Sequence, residues 1–189
     1  MPFTESEQEI LLQLARKTIE QVTHGRPLPT IVLSDYPPSL QEDGASFVTL
    51  TKHGQLRGCI GALEATIPLV MDVCEHAESA ALHDYRFLPV SNHELDELLI
   101  EISILTTPVP LDYSSPDELL NLLTPVVDGV ILKNGYQRAT FLPQVWEKIP
   151  DKSQFLSQLC LKMGASADLW RKKTLTVLRY QVEEFSEKQ

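Results

Sequence analysis

The 189-residue chain lacks the motifs that announce the common catalytic classes. It contains neither GxxxxGK[ST] nor GxGxxG, so no recognised phosphate-cradling loop is present. HExxH and GxSxG are also missing, which removes a zincin helix and a serine elbow. Cysteine is scarce: Cys59, Cys74 and Cys160, an odd number with no CxxC spacing. That pattern excludes a disulfide framework and an iron–sulfur ligand set, and reads as reduced thiols in a cytoplasmic protein. No apolar run approaches 18 residues, so no membrane span is expected. The opening Met1-Pro2-Phe3-Thr4-Glu5 is polar and acidic, without a signal-peptide pattern. Positive charge is in deficit, with 16 Lys and Arg against 26 Asp and Glu, a net charge of −10. An acidic surface disfavours nonspecific nucleic-acid binding. The five histidines are scattered. His76 and His83 would lie ~10.5 Å apart along a helix, too far for joint ligation. No metal and no cofactor is expected.

What is present is ordinary globular composition, 43% apolar and 22% charged, in a chain long enough for a full core. One domain over 1–189 is expected, and the proline-rich residues 106–116 are the one candidate boundary for a smaller lobe. Thr4-Glu5-Ser6-Glu7 fits a capping box for a helix carrying Ile10, Leu11, Leu14, Ala15, Ile19 and Val22, with Gly25 as its stop. Ile31–Leu33 is a candidate strand. Residues 45–51 are β-rich and pair through His53-Gly54 with the stretch that follows. A second helix starts at Pro68 with Thr66 as cap, and Cys74 lies on its apolar stripe. Ile100, Ile102 and Ile104 share one face of a strand, Glu101 and Ser103 the other. Asn134-Gly135 marks a hairpin of type I′. Ser115 and Ser153 read as helix caps, Cys160 as core, and residues 175–182 as a closing strand. Hairpins interleaved with helices imply an α+β fold, a mostly antiparallel sheet with helices flanking one side.

The chemistry concentrates in Leu56-Arg57-Gly58-Cys59-Ile60-Gly61. As a plain strand it turns Leu56 and Ile60 into the core, and Arg57 and Cys59 together to the other face. A permanent cation near a thiol favours the thiolate. Gly58 and Gly61 allow a ligand or a second backbone to approach. The bland alternatives are a buried cysteine acting as a small hydrophobe, glycines that mark only a bulge or bend, and an arginine paired with a surface carboxylate.

The hexapeptide resembles the signature of the AMMECR family, whose prokaryotic members are called AmmeMemoRadiSam system protein A. Further matches come in the family's order: Phe47-Val48-Thr49-Leu50, Asp84 with Arg86-Phe87, Glu101-Ile102-Ser103, Asp128-Gly129, Thr140 through Val145, and Leu159-Cys160 with Lys162 and Gly164. Met163 departs from the alanine often found there. The resemblance covers roughly residues 5–185. It implies an α+β fold with a larger and a smaller lobe and a groove carrying the signature residues. It also implies Memo-like and radical SAM proteins as partners in a shared pathway.

Two readings of function follow. In the first, the chain is a binding or adaptor component whose Arg57, Arg86 and Arg138, beside Gly58 and Gly61, receive a small anionic ligand or a partner's carboxylates. In the second, it is a thiol-dependent enzyme with Cys59 as nucleophile and Asp84 or Glu101 positioning the reacting partner.

Overall fold

The structure, a computed structural model, describes residues 2–188. The chain forms two compact units. One holds the described residues through Leu105 together with the stretch from Glu183 onward; the other is Thr106–Val182.

The first unit opens with helix α1 (Glu5–Thr23), started by the expected capping box between Thr4 and Glu7. Ile31 to Leu33 do not form a strand: a 3-10 turn, Leu33–Asp35, occupies part of that stretch, followed by the short helix α2 (Pro38–Gln41). Pro29, Pro37 and Pro38 fix the backbone on both sides of that stretch, and no strand among the described residues is placed to pair with it. Strands β1 (Asp43–Gly44), β2 (Ser46–Lys52), β3 (Gln55–Gly61) and β4 (Ile67–Pro68) come next. Helix α3 (Leu69–Leu82) begins after Pro68, and Thr66 provides no side-chain cap. A 3-10 helix over Asn92–Glu97, started by a Ser91–Glu94 capping box, leads into β5 (Leu98–Leu105).

In the second unit the order is β6 (Val109–Pro110), α4 (Pro116–Leu122), β7 (Gly129–Asn134), β8 (Gln137–Phe141), α5 (Lys152–Lys162), α6 (Leu169–Lys172) and β9 (Thr176–Tyr180). Ser115 caps α4 as expected, but Asp151, not Ser153, caps α5 by accepting from Gln154 N at 2.8 Å. The 134–137 hairpin loop is Gly135-Tyr136, one position later than expected, and positive φ falls on Gly135 alone. Glycine first is the II′ pattern rather than I′. The closing strand breaks at Gln181, and its continuation, β10 (Val182–Ser186), belongs to the first unit's sheet.

The first unit's main sheet has the order β10-β5-β2-β3, and its described pairings are antiparallel. Val48, Leu50, Ile100, Ile102 and Ile104 put one face against α1 and α3, where Cys74 is also buried. The second unit's sheet, β6-β9-β7-β8, packs Val130, Leu132 and Val177 against Phe155, Leu156, Leu159 and Cys160 of α5. Both units match the expected α+β class with antiparallel sheets. Among the described residues, no helix is long and apolar enough to cross a membrane, and no group of three His, Cys, Asp or Glu side chains is placed to hold a metal ion.

Candidate functional site

Strands β2 and β3 form a tight hairpin around His53-Gly54, both with positive φ (51° and 75°), the I′ geometry that suits strand twist. Lys52 pairs with Gln55 and Thr51 with Leu56, but the next pair is Leu50 with Gly58. Arg57 is therefore an extra residue, a β-bulge. The extra residue changes which way everything beyond it points. A regular ladder would set Cys59 opposite Val48, in the core. With the bulge it stands opposite Thr49, on the face away from the helices. Leu56 also points away from the core and is exposed, contrary to the plain alternation; Ile60 packs against the core as expected.

Thr49 is paired on its other side with Glu101 of β5. Cys59, Thr49 and Glu101 thus form one row across three neighbouring strands. Thr49 Oγ1 donates to Cys59 Sγ at 3.2 Å. Cys59 and Glu101 stand about 10 Å apart at the backbone, two strand spacings, with Thr49 between them. Cys59 is half-buried, whereas Cys74 and Cys160 are buried. Burial pushes the Glu101 carboxyl above its usual range, and the nearby charge of Glu184 adds to the rise. In the neighbouring row Ser103 Oγ lies 3.5 Å from Glu184 Oε2.

β3 is the edge of its sheet, so the Cys59 peptide faces outward with no strand to pair it. Two side chains stand in for that strand. Asp84 Oδ2 accepts from Cys59 N at 2.9 Å, and Arg86 Nη2 donates to Cys59 O at 3.0 Å. The two side chains also bind each other, Arg86 Nε to Asp84 Oδ1 at 2.9 Å and Nη2 to Oδ2 at 2.6 Å. Arg86 holds the buried Asp84 carboxyl well below the usual carboxylate range, outweighing the cost of burial. Asp84 follows the end of α3, and it sits this close because Gly58 lets the helix in. A Cβ on Gly58 would lie 2.2 Å from the Ala80 carbonyl oxygen. A Cβ on Gly61 would lie 2.4 Å from the Phe47 ring. Both glycines thus have a packing role.

Arg57 turns elsewhere. Its Nε and Nη2 each bind Glu94 at 3.1 Å, and Nη1 and Nη2 reach the Leu88 and Pro89 carbonyls at 2.9 and 3.4 Å. The expectation that Arg57 and Cys59 act together on one face is corrected by the bulge, which sends the guanidinium to the 88–94 segment. Arg57 and the Ser91 N–H hold the Glu94 carboxyl down at about 2. Arg138 lies on β8 of the second unit and is exposed. Sequence reasoning gave no role to Thr49, Glu94 or Glu184. Thr49 was findable, because it alternates with Val48 and Leu50; Glu94 and Glu184 join through contacts distant in sequence.

The two ion pairs set an acid response. The carboxyls of Asp84 and Glu94 are depressed in the folded state, so their contribution is full above their unfolded values of about 3.9 and 4.3 and fades as pH falls. Scanning calorimetry is expected to show the first unit losing stability from about pH 4.3 downward. Asp84→Asn with Glu94→Gln should flatten that dependence; an unchanged slope would refute this assignment.

An antiparallel α+β scaffold presenting a clamped cysteine row describes the site, and comparison places it. The chain belongs to the AMMECR1 family, whose model matches residues 12–185. A protein of Methanothermobacter thermautotrophicus is 38% identical over 98% of this chain and 97% of its own length. One of Thermofilum pendens is 38% identical over 94% of this chain and 88% of its own. The crystal structure of the uncharacterised protein PH0010 from Pyrococcus horikoshii is similar in fold, with a TM-score of 0.84, 32% identity, and coverage of 98% of this chain and 94% of that one.

Proposed function

We propose that this protein performs thiol-dependent chemistry at Cys59, with Glu101 as the group that takes up and returns the proton. The observation that carries the proposal is the row Cys59–Thr49–Glu101: a half-buried thiol receives a hydroxyl hydrogen bond beside a carboxyl whose affinity for protons is raised. A donor to sulfur favours the thiolate, the nucleophilic form. A raised carboxyl titrates closer to neutrality, as a general acid–base requires. In such a step the sulfur bonds to an electrophilic carbon as that carbon's bond to the leaving group breaks, the thiol proton travels by way of the Thr49 hydroxyl between them to Glu101, and Glu101 returns it to the leaving group. A substrate bound over Thr49 lies between the two groups.

The binding reading needs Arg57 and Arg86 to be available together; Arg57 is fully engaged with Glu94 and two backbone carbonyls, and Arg86 keeps only Nη1 beyond its bonds to Asp84 and the Cys59 carbonyl. It keeps one supporting observation. The turn after α3 holds Tyr85 and Leu88 at 94% and 83% exposure, while Arg57 and Arg86 fix that turn's backbone. Rigid exposed apolar side chains suit docking of a partner protein, Memo-like and radical SAM proteins being those the family implies.

One experiment decides between the readings: alkylation of the folded protein by iodoacetamide, followed for each cysteine by peptide mass spectrometry across pH. Burial pushes the Cys74 and Cys160 thiols up, making them internal controls. The thiol reading expects Cys59 to react at least tenfold faster than both and to slow in Thr49→Val. Equal inertness of all three would sink it and leave the docking reading.

A further inference from the structure

We infer that Arg86, and not Arg57, is the cation that serves Cys59: held by Asp84, it offers its remaining amino group to the negative oxygen of an anionic substrate. This rests on the thiol reading above and names the substrate class that Cys59 would meet.

Hydrogen-bond accounting separates the two arginines. Every nitrogen of the Arg57 guanidinium is used on Glu94, Leu88 O or Pro89 O, and the side chain is only 16% exposed. Arg86 uses Nε and Nη2 on Asp84 and the Cys59 carbonyl. Its Nη1 has no protein partner among the described residues, and the side chain is 43% exposed. An unspent amino group on a fixed guanidinium is a donor to carboxylate or phosphate oxygens. Position favours Arg86 as well, because it touches the Cys59 backbone directly. Asp84 raises Arg86 further above its usual value, and the negative form of Cys59 contributes in the same direction. Asp84 is the positioning residue: it accepts from the Cys59 N–H and fixes the guanidinium through two further bonds, so it holds both sulfur-bearing backbone and cation.

Two alkylating reagents of almost the same shape test this, iodoacetate and iodoacetamide. In both the thiolate displaces iodide and forms an S–CH₂ bond, and only the charge of the reagent differs. The ratio of the two rates at Cys59 cancels the thiolate fraction and reads the attraction for an anion. Arg86→Gln is expected to lower that ratio roughly fivefold, the size of a partly screened unit charge at close range. Arg86→Lys keeps most of the ratio, Arg57→Gln leaves it unchanged, and Asp84→Asn raises it by removing the competing carboxylate. Calorimetry on each variant reports folding, and Arg86→Lys with Asp84→Asn carries the test if Arg86→Gln does not fold. A ratio insensitive to Arg86 and Asp84, or a drop seen in Arg57→Gln instead, overturns this inference and leaves the thiol reading standing. A wild-type Cys59 inert to both reagents overturns both.

Discussion

Replacing Gly58 by valine is expected to cost about 3 kcal/mol or more in the first unit, lowering its melting temperature by roughly 10–15 °C. The first added carbon already falls 2.2 Å from the Ala80 carbonyl oxygen. That oxygen belongs to helix backbone, so no side chain can swing aside; α3 must lift from the sheet. Ala77, Ala80 and Ala81 are all buried at that contact, so lifting it opens voids that surrounding side chains cannot refill. Asp84 leaves with the helix end, and the Cys59 peptide loses its carboxylate. Gly58→Ala is the milder version and should lie between wild type and valine. Thermal unfolding checks the order. A Gly58→Val protein that melts within a degree of wild type would show that the helix has room to give, and the packing argument would fall.

Trp146→Ala is expected to cost the second unit about 3–5 kcal/mol. Trp146 is fully buried, its ring stacks on Phe155 with centroids 3.6 Å apart and planes 2° from parallel, and its Nε1 donates to Asp128 O at 2.7 Å. Truncation removes one of the two tryptophans of that core and leaves a buried carbonyl without its donor. Asp128 also closes the 124–128 turn by accepting from Thr124 N at 2.8 Å, so the loss reaches the start of β7. Trp146→Phe keeps the ring and gives up the donor, and should recover more than half of the loss. Chemical denaturation followed by the fluorescence of Trp170 reads the second unit directly. A cost below 1 kcal/mol would mean the cavity collapses or fills with water.

Much of the scaffold was legible because it is locally encoded. The Thr4–Glu7 capping box, the Ser115 cap, the His53-Gly54 turn and the isoleucine alternation in β5 each need only a few neighbouring residues. Ile31–Leu33 misled because its branched side chains suit a strand while the surrounding prolines do not. The site was half legible. Alternation placed Glu101 and Ser103 on one face correctly. The same rule failed in β3, because period-2 counting assumes a regular ladder and Arg57 is an inserted residue. Counting back from the two-residue turn puts Cys59 opposite Val48; the structure sets it opposite Thr49. Gly58 is the local trace of the irregularity, and bulge was one of the meanings it could carry. Arg57 looked like the thiol's partner because it is two residues away in sequence. Arg86, 27 residues away, makes the contact, and only the packing of α3 against β3 creates that neighbourhood.

The order in which the parts are synthesised follows from the position of β10. A ribosome completes Thr106–Val182 as an unbroken stretch before it makes Glu183 to Ser186, which belong to the earlier unit. Until those residues clear the exit tunnel, β5 has β2 on one side and no strand on the other. Arg16 of α1 likewise waits for Glu187, which also accepts from the Ile100 N–H. The nascent chain therefore carries an unfinished sheet through the whole translation of Thr106–Val182, and the emergence of Glu183 to Ser186 is the event that closes it.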